Sequence, residues 1–190
     1  MAPQTQTPAR LIRVLNGLSP LAALDHPREV VRQFTPNWFA ATMGTGILAL
    51  ALPQVPRIGP SLQSLSEILW LANIVLFLLF SVLYGARWLL FGHEAKRIFG
   101  HNSVSMFIGT IPMGLATIVN GFLTFGIPRF GMVAVGIAEV LWWLDCVLSI
   151  LCGVLIPYLM FTRQEHRIDQ MTAIWLLPVV AAEVAAVSGG

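Results

Sequence analysis

The sequence predicts an all-α membrane protein with five transmembrane helices arranged as tandem helical hairpins. Three observations predict it. The chain of 190 residues is 56% hydrophobic and only 11% charged, with a mean hydropathy of +0.77, which is membrane-protein composition. Five apolar runs reach or approach the roughly twenty residues that carry a helix across a bilayer. The charges fall in short clusters between those runs, where interhelical loops belong.

Residues 1–33 read as a cytosolic N-terminal arm. Leu11, Leu15 and Leu18 recur at helical spacing, with Val14, Arg10 and Arg13 close by. A short surface helix ended by Gly17 and Pro20 fits, and so does a disordered tail. No compact apolar run stands before a small-residue cleavage site, so no secretory signal is evident. The membrane unit, 34–190, opens with the stretch that organises the rest, FTPNWFAATMGTGILALAL. It is uncharged and crowded with small and hydroxyl side chains, which let backbones approach closely or line a polar route. Pro36 suits a first turn, and Trp38 an interfacial position.

The first span covers about 37–52 and stops at Pro53; Pro53, Pro56, Gly59 and Pro60 stiffen the loop that follows. The second, about 65–91, is rich in Leu, Phe and Trp, as a lipid-facing helix would be. The third, about 103–125, carries Thr110, Gly114, Thr117, Gly121 and Thr124 at steps of four and three, so they share one face, with Phe107 one turn earlier. Pro112 should kink it and free a carbonyl near Ile108. The fourth, about 131–161, is bulky again. A charged loop, 162–170, precedes the fifth, about 171–187, with Pro178 in its middle.

Nine of the eleven Lys and Arg residues fall on one side of this layout, leaving Arg57 and Arg129 on the other. The positive-inside rule then puts the N-terminus in the cytoplasm and, after five crossings, Gly190 outside. The odd spans are rich in Gly, Ala, Thr and Pro, whereas the even spans are long and bulky. Met43-Gly44-Thr45 echoes Ile108-Gly109-Thr110. Together these features suggest hairpins of one inner and one outer helix, about half of a larger bundle.

Candidate functional residues follow from that layout. Thr42, Thr45, Phe107, Thr110, Gly114 and Thr117 would line a path between the odd spans, although the same small-residue stripe also suits helix packing alone. Proline kinks at Pro112 and Pro178 would widen a lumen and turn backbone dipoles toward an anion. Glu139, Asp145 and Glu183 lie inside spans, with no Lys or Arg at comparable depth. A bare carboxylate there costs about 2.5–3.5 kcal/mol. Glu183 reads either as a proton-titrating group on the path or as a solvated carboxylate near the outer interface. Glu139 leans to the surface. Asp145, with Ser149 one turn on as a hydrogen-bond partner, reads as a contact between helices. Cys146 and Cys152 point to different faces of one helix and read as buried small hydrophobes. Nothing has the spacing of a catalytic site, a phosphate loop or a metal centre, so no enzyme, metal, cofactor or nucleic-acid partner is expected.

FTPNWFAATMGTGILALAL, GTIPMGLATIVNG and WLLPVVAAEVAAVSGG closely resemble the tellurite-resistance/dicarboxylate transporter family. That family includes bacterial tellurite-resistance permeases, fungal malic acid permeases, sulfite efflux pumps and plant slow anion channels. The resemblance covers about 33–190. It implies ten helices in five hairpins around a central anion pore, inner helices kinked by proline, and often a homotrimer. The family's occluding aromatic lies on its ninth helix, so its role is not carried over to Phe107. The expected function is transport of small anions, C4-dicarboxylates such as malate first, in a multi-pass cell-membrane protein. The expected partners are lipid, anions, protons and a C-terminal half. The alternatives are sulfite- or tellurite-related efflux, and a truncated, non-transporting membrane fragment.

Overall fold

A computed structural model describes residues 28–164 and 171–189. The leucine pattern in the N-terminal arm and most of the charged loop 162–170 lie outside the described residues. Among the described residues every regular element is helical. A short helix α1 (Arg28–Gln33) leads to α2 (Phe39–Ala51), then α3 (Gln63–Leu90) and the loop helix α4 (Gly92–Lys96). After them come α5 (Thr110–Gly121), α6 (Ile127–Phe130), α7 (Met132–Thr162) and α8 (Leu177–Gly189).

Three helical runs are long and apolar enough to cross a membrane: Gly59–Leu90, Met106–Phe130 and Met132–Thr162. The helices at the positions of the first and fifth predicted spans are shorter. Each of the three odd elements begins with a 3-10 turn: Pro36–Trp38 before α2, Ser105–Gly109 before α5, and Ala173–Leu176 before α8. Pro178 is the second residue of α8 and Pro112 the third of α5. A proline there removes an N–H that a helix start leaves unpaired anyway. Each stands within three residues of the change from 3-10 to α winding. The Phe107 carbonyl accepts a 2.7 Å hydrogen bond from Thr110 Oγ1.

The third span also ends differently. A π turn, Phe122–Gly126, follows α5, and Pro128, near the start of α6, lets the winding continue to Phe130. The wider turn shifts the register. Thr110, Gly114, Thr117 and Gly121 are buried as their spacing predicts, but Thr124 is exposed and Phe125 takes the buried place, 1% exposed.

Helix α5 is the hub. It packs against α2, α3, α7 and α8, while α2 pairs with α3 and α7 with α8. The apolar run containing α5 is 67% buried, against 17% for that containing α3 and 28% for α7. The bulky helices therefore lie outside and expose Leu, Ile, Val and Trp side chains such as Ile68, Val75, Val82, Val140, Trp143 and Val154. Against lipid this exposure costs nothing, because acyl chains are as apolar as the side chains. Small residues allow the close approach inside. A Cβ at Gly109 would stand 2.7 Å from the Leu177 carbonyl oxygen and 3.1 Å from Pro178 Cα, so this glycine lets the start of α8 lie against the start of the third span. Gly44 has open space around it, so the tripeptide echo between the two spans has no common structural role.

The core is layered along the helix axes. At one end Phe34, Phe39 and Phe80 cluster, with ring centroids 5.4 Å apart for Phe34–Phe80 and 5.8 Å for Phe39–Phe80. At the other end Trp70 packs on Phe122 and Phe125 beside Ala49. Arg129 pairs with Glu67 at that second end. At the first end Arg32 of α1 bonds Glu94 of α4 at 2.8 Å. The Arg32 hydrogen bond, against an opposing desolvation and helped by the charges of Arg32, Arg97 and Arg87, holds the Glu94 carboxyl below the usual glutamate range. A depressed folded-state value adds stability above the ordinary glutamate pKa, and that stability is lost as pH falls through the folded value. Arg32→Ala is therefore expected to lower the melting temperature slightly at neutral pH and not at acid pH, flattening the acid limb of the profile, by a small amount because the pair is exposed. An unaltered acid limb would show that the contact contributes nothing to folding.

Candidate functional site

The two threonines of α2 part company in three dimensions. Thr42 is fully buried, donates to the Phe39 carbonyl at 2.7 Å, and lies where a Cβ on Gly114 would collide with its hydroxyl. Thr45, three residues on, is half-buried and shares a face with the exposed Ala41 and Gly44. Thr110 and Thr117 are also buried, at 1% and 2% exposure. Thr110 Oγ1 shares its one proton between the Phe107 carbonyl at 2.7 Å and the Pro36 carbonyl at 3.0 Å, tying the start of α5 to the turn before α2. Thr117 Oγ1 donates to the Gly114 carbonyl at 2.8 Å and accepts from Asn73 Nδ2 at 3.2 Å. Thr42, Thr110, Gly114 and Thr117 thus form one seam between α2 and α5, with their hydroxyls used inside the protein. Phe107 is half-buried at the start of the third span.

Sequence spacing does not reveal Asn73. It sits fully buried on the bulky helix α3, and its Oδ1 has no hydrogen-bond partner among the described residues. Its amide and Thr117 together face Gly46, where a Cβ would strike both. A lone amide in a Leu-rich run is the signal that marks it, since such a group needs a partner inside the membrane.

The three span carboxylates differ. Glu183 is exposed. It lies on the face of α8 opposite Ala181 and Ala185, which pack inward at 1% and 4% exposure. Glu139 is exposed and lines a cavity of about 280 Å³ with Val119, Leu123, Trp142 and Ser188. Asp145 is 0% exposed on the inner face of α7, and both carboxylate oxygens lack a partner among the described residues. The expected Ser149 partner is taken: Ser149 Oγ donates to the Ala181 carbonyl at 3.1 Å. On the other side of Asp145, Trp142 Nε1 donates to the Ala185 carbonyl at 2.9 Å. Asp145 therefore sits in the α7–α8 seam between two anchoring hydrogen bonds and makes none itself. Replacing such a group by one of equal shape removes a desolvation cost. Asp145→Asn is expected to leave the melting temperature of the detergent-purified protein unchanged or raised; a fall of several degrees would reveal a hidden partner. Cys152 is buried as expected, Cys146 is only half-buried, and neither is bridged.

Comparison with known proteins follows this geometry. Residues 33–190 match the family described as voltage-dependent anion channel. A sulfite efflux pump of Arthroderma benhamiae is 38% identical over 160 residues, covering 84% of this chain and 43% of its own length. An uncharacterized transporter of Methanocaldococcus jannaschii is 28% identical over 169 residues, 89% of this chain and 47% of that one. The malic acid transport protein of Schizosaccharomyces pombe is 24% identical over 160 residues, 84% of this chain and 36% of that one. The chain thus spans less than half the length of these relatives. No solved structure matches it significantly.

Proposed function

The chain belongs to the voltage-dependent anion channel family, and from that membership we propose that it forms part of a conduit for small anions across the cell membrane. The family comprises channels and transporters and not enzymes. The observation that carries the reading is the sorting of side chains. Bulky apolar residues cover the outer faces of α3 and α7, while the exposed positions of α2 and α8 hold small residues and one acid, Ala41, Gly44, Ala182, Glu183 and Ala186, beside Ile47, Leu48, Val179 and Val187, with Thr45 half-buried among them.

On this reading 1–33 is a cytosolic arm and 34–190 supplies five crossings, about half of a ten-helix bundle that assembles as a homotrimer. The span lengths support five crossings. At about 2.0 Å per 3-10 residue and 1.5 Å per α residue, the stretch 36–54 extends about 30 Å and 173–189 about 27 Å, near the thickness of a hydrocarbon core. The cytoplasmic side is the end carrying Arg32, Arg87 and Arg97, by the positive-inside rule. Thr45, Phe107 and Glu183 face the anion. Thr42, Thr110, Gly114 and Thr117 form the wall behind them, holding α2 against α5.

Sulfite and malate are both proposed substrates, because relatives bear each name; the higher identity belongs to the sulfite pump. Counterflow in proteoliposomes of the whole protein, with labelled sulfite and labelled malate in turn, tests the proposal. Saturable uptake of either supports it, and flux no greater than in empty liposomes for both supports a non-transporting membrane element. If Glu183 titrates on the path, Glu183→Gln is expected to flatten the pH dependence of uptake. An unchanged profile removes Glu183 from the mechanism.

A further inference from the structure

The end of the molecule that carries Arg32 holds a second cavity, of about 280 Å³, lined by Thr35, Arg87, Glu94, Arg97, His101 and Val104 among others. Its position is set by the starts of two short spans. Thr35 precedes the 3-10 turn that leads into α2, and Val104 precedes the turn that leads into α5. Arg87 comes from the last turn of α3, and Arg97 and His101 from the loop after α4.

Arg87 is buried, only 7% exposed. Its Nη1 donates to the Phe34 carbonyl, which anchors the guanidinium beside the aromatic cluster. Its Nε is buried and has no hydrogen-bond partner among the described residues. A buried charged donor without an acceptor is rare and costly. The one lining carboxylate is already engaged, because Glu94 Oε2 accepts from Arg32 Nε at 2.8 Å. Arg97 and His101 are exposed at the rim and make no ion pair among the described residues. The cavity is therefore bordered by one buried guanidinium, whose Nε–H is unpaired among the described residues, and by an outer pair of N–H donors, while its lining acid is engaged by Arg32.

We propose that this cavity binds a small oxoanion group, of the sulfite, carboxylate or phosphate kind, held inside by Arg87 and closed over by Arg97 and His101. Planar guanidinium donors suit such oxygens in geometry and charge. The site stands on its own geometry and does not require that the anion then cross the membrane. A free anion and a lipid headgroup phosphate share the chemistry, and the test separates them.

The whole protein in neutral phosphatidylcholine nanodiscs is titrated calorimetrically with sodium sulfite and with inorganic phosphate. Saturable binding of at least one is expected, weakened about tenfold in the Arg97→Gln/His101→Gln double variant, which alters only exposed side chains. Arg87→Lys keeps a charge but removes Nε and should weaken binding as well. Should that variant fail to fold, the rim variant still decides. In phosphatidylglycerol discs, loss of the binding seen in neutral discs assigns the site to a headgroup phosphate, whereas unchanged binding assigns it to a soluble anion. Absence of saturable binding in neutral discs, or equal affinity in the rim variant, overturns the proposal. Flux measured on the same protein reconstituted in liposomes keeps the two readings apart: binding without flux retains this site and removes the conduit.

Discussion

Replacing Gly46 by leucine is expected to leave no folded protein. Gly46 lies where α2 crosses α5, and even a Cβ would fall on Thr117 Oγ1 and Cβ and come within 2.8 Å of Asn73 Nδ2. None of these atoms is the free end of a flexible chain. Thr117 is pinned by its bond to the Gly114 carbonyl, and Asn73 by its bond to Thr117. Making room means breaking the Asn73–Thr117 contact in a region without water, at about 1–3 kcal/mol for each group left unpaired, on top of about 1–3 kcal/mol for overpacking. The sum is comparable to the entire stability of a typical domain, about 5–15 kcal/mol. In mild detergent, fluorescence-detected size-exclusion chromatography should show the monodisperse peak lost. Gly44→Leu, two residues earlier, meets nothing within 4 Å and should elute like the parent. Equal behaviour of the two variants would contradict the α2–α5 seam.

Phenylalanine at Thr45 and at Thr42 should fail in opposite ways. Thr45 is half-buried beside Ala41 and Gly44 on the uncovered face of α2. The larger ring has room there, so the protein should fold, and if that face lines the route, anion flux should drop to near background. Thr42 is fully enclosed and lies against Gly114, so Thr42→Phe should cost folded protein before any question of flux arises. Expression, elution profile and counterflow on both variants give the answer. A well-folded Thr45→Phe protein with parental flux would move the route away from this face.

Much of the architecture was legible because membrane burial leaves coarse marks. The contrast between Leu- and Trp-rich spans and spans of Gly, Ala and Thr separated α3 and α7 from α5 without any coordinates, since only small side chains permit a helix to be enclosed by several others. The stripe at Thr110, Gly114, Thr117 and Gly121 was legible for the same reason. Its extension to Thr124 was not, because a π turn inserts a register shift that no residue spacing announces. Pro112 and Pro178 were visible as irregularities, but residue types alone do not announce the 3-10 turns that stand just ahead of both. Asp145 shows the limit at a single side chain. Its neighbour four residues on had the right chemistry to bond it, yet the Ala181 carbonyl on another helix competes for Ser149 and wins.

What the sequence determined by itself was the solvent of each segment: which runs belong in hydrocarbon, which of them need close neighbours, and where the charges stay in water. Those are properties of composition and period, readable one segment at a time. Only the tertiary structure decided which small residues close a seam and which remain uncovered. Thr42 and Thr45 have the same side chain on the same helix, and about 300° of helical rotation sends one against Gly114 and leaves the other open.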